Sequence, residues 1–267
     1  MWDATKYESK ENVLRVVRRE AERMFALVEE PGAWTAPTAC PQWTAGDQIR
    51  HIIDVTESYF VGFDAARTGN PVPDPLGLPV MAKALDDGAK ALGGLSAQEG
   101  TERLRTDFTK LMEMCDALGP DGWGGFIVPH KFMGPLPAFF YPAFQLMDYA
   151  VHSWDIRQGT GRAHGLDGEA ADLLVPFMFI LWQATATPKE ACDIGIRITS
   201  GANAGTWRIT ASPDGVAYEP ADSGDLPTVI EFDPSSFVLT VFGRSNAGTI
   251  RGDMAVADRF LNLFFRI

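Results

Sequence analysis

The stretch PTACPQWTAGDQIRHI, residues 37–52, indicates how the N-terminal part of this chain folds. Its two prolines predict a loop up to Trp43. Thr44 and Asp47 then have the spacing of a capping box, with Asp in the place that Glu usually takes. A helix is therefore expected to begin at Thr44, run to about Arg67 and carry His51 close to its start.

Outward from this stretch, residues 1–185 have helical patterns. After Pro188 strand patterns mix with helical ones, namely a helix start at 233–235 and an amphipathic terminal helix after Asp253. Gly- and Pro-rich segments, among them a long loop at 119–137, separate the predicted helices, which cover about 10–29, 44–67, 80–93, 96–118, 137–158 and 167–185. After Pro188, Ile194, Ile196 and Ile198 alternate with other residues, as in a half-buried strand. The sequence predicts a helical domain at 1–187 and a small α+β domain at 188–267.

Composition excludes several kinds of partner. Asp and Glu number 35 against 23 Lys and Arg, and the net charge is −12. Such an acidic chain is poorly suited to nucleic-acid phosphates or anionic membranes, which attract basic surfaces. The three cysteines (Cys40, Cys115 and Cys192) are far apart and form no CxxC motif, and no apolar signal segment is visible. We expect a soluble cytoplasmic protein without disulfides.

Asp148 and His152, in the stretch DYAVHSWDI (residues 148–156), are four residues apart in a predicted helix. This spacing places both side chains on one helix face, one turn apart. Two histidines and one carboxylate with an open position form a common catalytic metal site, which His51 completes if the two helices face each other. The spacing also fits an Asp–His hydrogen bond with no metal, and His51 also fits a core histidine.

Both stretches resemble the mycothiol-dependent maleylpyruvate isomerase family, a branch of the DinB-like superfamily. Residues 37–52 are similar to that family's run ending in a metal-binding histidine, and residues 148–156 to its second ligand motif. The tail, from Val241 to Leu261, is similar to the sterol-carrier-like domain that many members carry. The resemblance implies a mainly α fold, in which a DinB-like four-helix bundle precedes a small α+β sterol-carrier-like domain.

The resemblance implies that His51, Asp148 and His152 are ligands of Zn²⁺ and that mycothiol is the thiol cosubstrate. The chain departs from the family pattern beside this site. Asp148 stands where Glu is usual, and Gln145 where an arginine is often found. These departures suggest an altered substrate, an altered metal affinity or loss of the metal.

Other residues have two interpretations each. Asp155 is expected either to orient His152 or to form a surface ion pair. Arg244 is the candidate for holding a substrate carboxylate, and is otherwise a surface charge. In or near the 119–137 loop, the candidates for a substrate pocket are His130, Trp123 and Phe144, whose alternatives are loop or core positions.

The leading functional hypothesis is a zinc- and mycothiol-dependent isomerase or thiol transferase acting on a small organic substrate. One alternative is a non-catalytic small-molecule binding protein that has lost the metal. The other is an enzyme of secondary metabolism that uses no thiol. The sequence leaves the substrate open, and either a monomer or a homodimer is compatible with it. An anionic substrate would have to approach against the −12 net charge.

Overall fold

In a computed structural model of the chain, which describes residues 3–162, 164–186, 188 and 190–263, a helix begins after Thr44 as predicted. The Thr44 hydroxyl accepts the Asp47 N–H at 3.3 Å, and the Asp47 carboxylate accepts the Thr44 N–H at 2.9 Å. This capping box satisfies two donors that the first turn would leave without partners.

Four long helices form an N-terminal bundle. Along the chain its elements are α1 (Lys10–Val28), α2 (Ala45–Thr68), α3 (Met81–Ala91), α4 (Ala97–Asp116), α5 (Pro120–Gly125), β1 (Ile127–His130), β2 (Gly134–Pro137) and α6 (Phe140–Gly159). Helix α1 packs on α4 and α6, and α2 packs on the same two helices. The predicted four-helix bundle is therefore built from α1, α2, α4 and α6.

Helix α6 has almost no solvent face. From Phe140 to Ile156 every residue except Met147 is buried. A helix that is covered all round lies in a core rather than on a surface. Polar side chains on α6 are therefore held away from water, and they need hydrogen-bond partners within the protein.

The predicted loop at 119–137 is wrong in detail, because it contains helix α5 and an antiparallel hairpin of β1 and β2. The hairpin pairs Ile127 with Pro137 and His130 with Gly134. It lies tightly against α2, since a β-carbon at Gly62 would overlap the Pro129 carbonyl oxygen. Prolines within both strands hide the strand signal in the sequence, because proline is usually confined to sheet edges.

The chain divides into two compact units, one of which spans Ala4–His164 while the other begins at Gly165. The predicted boundary at 187/188 falls inside the second unit, and residue 187 lies outside the described part of the chain. Helix α7 (Gly168–Thr185) belongs to the second unit because the Phe179 ring packs on Trp207, Tyr218 and Phe237, each with centroids 5.1 Å away.

The second unit is an α+β module, as expected. Its five-stranded mixed sheet has the order β5-β4-β3-β6-β7, with β3 parallel to β6 and the other pairs antiparallel. The elements are β3 (Cys192–Ile198), β4 (Gly205–Ser212), β5 (Gly215–Pro220), β6 (Val229–Phe232), α8 (Pro234–Val241), β7 (Thr249–Arg251) and α9 (Met254–Leu261). Among the described residues, no helix is long and apolar enough to cross a membrane.

Replacing Thr44 with alanine should destabilise the protein by about 1 kcal/mol, because the first turn of α2 loses its cap. Urea unfolding followed by circular dichroism measures the change. Thr109→Ala is the matched control, since this exposed hydroxyl donates to the carbonyl oxygen of Arg105 in its own helix and caps no helix end. Equal stability of the two variants would contradict the role of the cap.

Candidate metal centre

Three ionisable side chains from two helices meet inside the bundle. His51 comes from α2, and Asp148 and His152 come from α6 one turn apart. One ligand atom from each lies within 4.8 Å of the other two, and all three residues are buried. The two imidazole rings are nearly perpendicular, with centroids 5.3 Å apart. The structure therefore brings together the three residues that sequence reasoning selected.

Asp155 orients His152 through a hydrogen bond to its imidazole ring. Its Oδ2 lies 3.0 Å from His152 Nδ1, accepts the amide of Gln48 at 3.1 Å, and lies 3.5 Å from the Cys40 thiol. Asp155 is fully buried, which excludes the surface ion pair considered for it. Because a buried carboxylate oxygen accepts hydrogen bonds, Nδ1 of His152 is the protonated nitrogen and Nε2 is the one available as a ligand.

The loop at residues 37–43 is tied to α6 by its backbone. Ala39 N–H donates to the Asp155 carbonyl oxygen at 2.9 Å, and a β-carbon at Gly159 would overlap the backbone of Pro37. This attachment places the Trp43 ring 5.3 Å from His51 and 6.5 Å from His152, measured between centroids. The loop therefore covers both histidines with an indole ring.

Burial shapes the electrostatics of the cluster. It raises the pKa of Asp148 to about 6, partly offset by His152. The pKa of the neighbouring Tyr59 hydroxyl is also raised, by burial and by the charge of Asp148. Ionised Asp148 is thus poorly solvated, and a bound cation would stabilise it.

Four aromatic residues continue from the cluster along the α2–α6 interface, and we call them the aromatic group: Tyr59, His130, Tyr141 and Phe144. The His130 ring lies 5.2 Å from Phe144 and 6.0 Å from Tyr59, and Tyr59 lies 4.9 Å from Tyr141. Phe144 is one turn before Asp148 on α6. Two of the predicted pocket residues, His130 and Phe144, therefore lie together beside the cluster.

His130 also organises the hairpin that carries it. Its Nδ1 accepts the backbone N–H groups of Phe132 and Met133, both at 3.2 Å. Burial and the charge of Lys131 lower its pKa to about 4, so the ring is neutral near pH 7 with its proton on Nε2. The imidazole can donate a hydrogen bond but carries no positive charge.

The two other predicted site residues, Trp123 and Arg244, form hydrogen bonds within their own units. Trp123 is fully buried, and its indole N–H donates to the Ala4 carbonyl at 3.0 Å, which ties α5 to the N-terminal segment. Arg244 belongs to the second unit, where its backbone N–H donates to Leu239 O at 2.8 Å and its guanidinium to Phe242 O at 3.2 Å. Their substrate roles stay predictions.

Sequence reasoning missed the partners of Asp155. Gln48 lies three residues before His51 and therefore on the same face of α2, a spacing that could have singled it out. Tyr59, eight residues after His51, follows the same face. Cys40 has no neighbouring base in the sequence, and its proximity to Asp155 arises only from the fold. No local pattern indicates that contact.

The family model for the mycothiol maleylpyruvate isomerase N-terminal domain matches residues 17–157, more than half of the chain and the whole cluster. The chain belongs to this family. The match confirms the resemblance drawn from the two motifs. No curated protein sequence matches the chain.

Solved structures of the family share the fold. The mycothiol-dependent maleylpyruvate isomerase and a histidine-to-alanine variant of it align with TM-scores of 0.60 and 0.62. Both are 14% identical to this chain, and the alignments cover 92% of it and 94% of the isomerase. The colibactin self-resistance protein ClbS, in complex with double-stranded DNA, covers 57% of this chain with a TM-score of 0.49. The absence of nucleic-acid binding here stays a prediction.

Asp148→Asn should stabilise the metal-free protein at pH 7.5 by on the order of 1–3 kcal/mol. The folded-state pKa of about 6 lies above the ordinary 3.8, so the folded protein binds the extra proton between these values and loses stability as pH rises through them. Near pH 4 the carboxyl is neutral, and variant and wild type should converge. Urea unfolding in a chelator measures this, and a less stable variant at pH 7.5 would contradict it.

Proposed function

We propose that this chain is a zinc-dependent enzyme that uses mycothiol as cosubstrate on a small organic molecule, as an isomerase or thiol transferase. The observation that carries the proposal is the buried cluster of His51, Asp148 and His152, with ligand atoms within 4.8 Å of one another. Family membership supports the choice of mycothiol, which the relatives of known structure depend on.

The donor set fits zinc. Two imidazoles and one carboxylate are borderline-soft and hard ligands that Zn²⁺ accepts, and three protein ligands leave a fourth position for a water or a thiol. Asp148 is one methylene shorter than the glutamate usual in the family, yet its carboxylate still reaches the two histidines. Its poor solvation favours binding a cation over remaining an isolated charge.

Bound zinc would lower the pKa of a thiol or water at its open position. The chain's own residues prepare that position. Asp155 fixes His152 with Nε2 toward the cluster, and Trp43 covers both histidines. The aromatic group lies next to Asp148 and offers apolar surface and the Nε2–H of His130 to a small molecule. We assign substrate binding to this region of the bundle.

The proposal requires metal in the purified protein, at about one Zn²⁺ per chain. His51→Ala should abolish it, because a two-ligand site binds zinc weakly. Elemental analysis after gel filtration measures the content. His164→Ala is the matched control, since this exposed histidine contacts Arg157 away from the cluster and its loss should leave zinc bound.

Two outcomes would contradict the proposal. A metal-free protein whose melting temperature ignores chelators would favour the non-catalytic binding protein instead. A zinc-loaded protein that mycothiol does not stabilise in a thermal shift would favour an enzyme that uses no thiol.

Asp155→Asn should weaken zinc binding by about 10- to 100-fold, because the partner that sets the His152 tautomer is lost. Competition with a chromophoric chelator measures the affinity. Asp172→Asn is the control: Asp172 is an equally buried carboxylate that accepts the N–H groups of Ala202 and Asn203 in the second unit. The control should change stability but not zinc affinity, and unchanged affinity in Asp155→Asn would contradict the role of Asp155.

A further inference from the structure

Gln145 is a fully buried glutamine on α6, and only half of its amide has a partner. Its Nε2 donates to the Thr56 hydroxyl at 2.9 Å, across the interface with α2. Within the described residues, no protein group hydrogen-bonds to its Oε1. A buried carbonyl oxygen without a donor destabilises the folded state, so such an atom in a bundle core needs an explanation.

The orientation of this amide is determined by its neighbour. The Thr56 hydroxyl donates its one proton to the Ile52 carbonyl oxygen at 2.7 Å. It can therefore only accept from Gln145, which must present its NH₂ group to Thr56. Turning the amide over would place two acceptors together, so Oε1 is held pointing away from Thr56.

Gln145 lies beside the proposed zinc site. It is three residues before Asp148, a spacing that places neighbouring side chains on one helix face. Thr56 is three residues before Tyr59 on α2, and Tyr59 interacts electrostatically with Asp148. The pair Gln145–Thr56 therefore occupies the same α2–α6 interface as the cluster and the aromatic group.

We infer that Gln145 is a specificity-determining residue whose Oε1 accepts a hydrogen bond from the molecule bound beside Asp148. This inference rests on the proposed function of the site. The ligand class it selects carries a hydroxyl, an amide N–H or another neutral donor at this position. A carboxylate there would face the amide oxygen, acceptor against acceptor, and the nearby negative charge of Asp148, so the residue disfavours it.

Binding of small thiols to the protein loaded with Co²⁺ at the proposed zinc site tests the ligand class. Three thiols of similar length are compared. The end opposite the thiol is a hydroxyl donor in mercaptopropanol, a carboxylate in mercaptopropionate and a methyl group in butanethiol. Homologues one methylene longer and one shorter vary the distance between the thiol and the far end. With Co²⁺ in place of zinc, thiolate absorption bands report each Kd. The hydroxyl thiol should bind about three- to tenfold more tightly than the apolar one, and the carboxylate thiol most weakly.

Gln145→Met removes the acceptor at nearly constant volume and should erase the preference for the hydroxyl thiol over the apolar one. Gln98→Met is the matched control, because this exposed glutamine on α4 donates to Glu102 at 2.9 Å within its own helix, and its replacement should leave the preference intact. An unchanged preference for the hydroxyl thiol over the apolar one in Gln145→Met would overturn the inference while leaving the proposed function standing. Failure of every thiol to bind would instead contradict the proposed function.

A second measurement decides the inference without any thiol. In the metal-free protein, Gln145→Met should leave the melting temperature unchanged or raise it, because removing an unpartnered buried carbonyl offsets the lost bond to Thr56. A clear fall in the melting temperature would overturn the inference, since it would mean that Oε1 already has a partner, such as a buried water, in the resting protein.

Discussion

The arrangement of the bundle and of its three-residue cluster depends on the hydrogen bonds that the Oδ2 atom of Asp155 accepts. Donors from three segments converge on it: the thiol of Cys40 in the loop, the amide of Gln48 on α2, and the imidazole of His152 on α6. A carboxylate this deeply buried is tolerated only when its hydrogen bonds are satisfied. Satisfying it fixes the loop, α2 and α6 in one arrangement. The same arrangement points His152 toward His51 and lays Trp43 over both rings.

Charge is distributed in a way that suits a cation inside an acidic protein. The net charge is −12, while burial in the cluster keeps Asp148 from water and raises its pKa to about 6. A positive ion placed there would remove the cost of ionising Asp148. Around it the chain presents neutral groups: a neutral His130, the Tyr59 hydroxyl and the amide of Gln145. Such surroundings match an uncharged hydrogen-bonding ligand better than a dianion, in agreement with the field of the whole protein.

Local sequence patterns predict several elements of the fold and the three residues of the cluster. The capping box at Thr44, the four-residue spacing of Asp148 and His152, and the alternation around Ile196 each correspond to an observed element. The predictions that are wrong concern contacts between residues far apart in the sequence. The prolines that suggested a loop at 119–137 occupy hairpin strands, and α7 packs on the sheet through Phe179, which its helical pattern does not reveal. The contacts of Asp155 with Cys40 and Gln48 join residues more than 100 positions apart, and no spacing rule reaches that far.

The central claim is that His51, Asp148 and His152 hold one zinc ion whose remaining position takes a thiolate. X-ray absorption at the zinc edge, recorded with and without mycothiol, tests it most directly. The zinc of the resting protein should have nitrogen and oxygen ligands only, with imidazole scattering. One added sulfur at about 2.3 Å is expected when mycothiol is present. A sulfur ligand already present without the thiol, or no sulfur after saturation with it, would contradict the account.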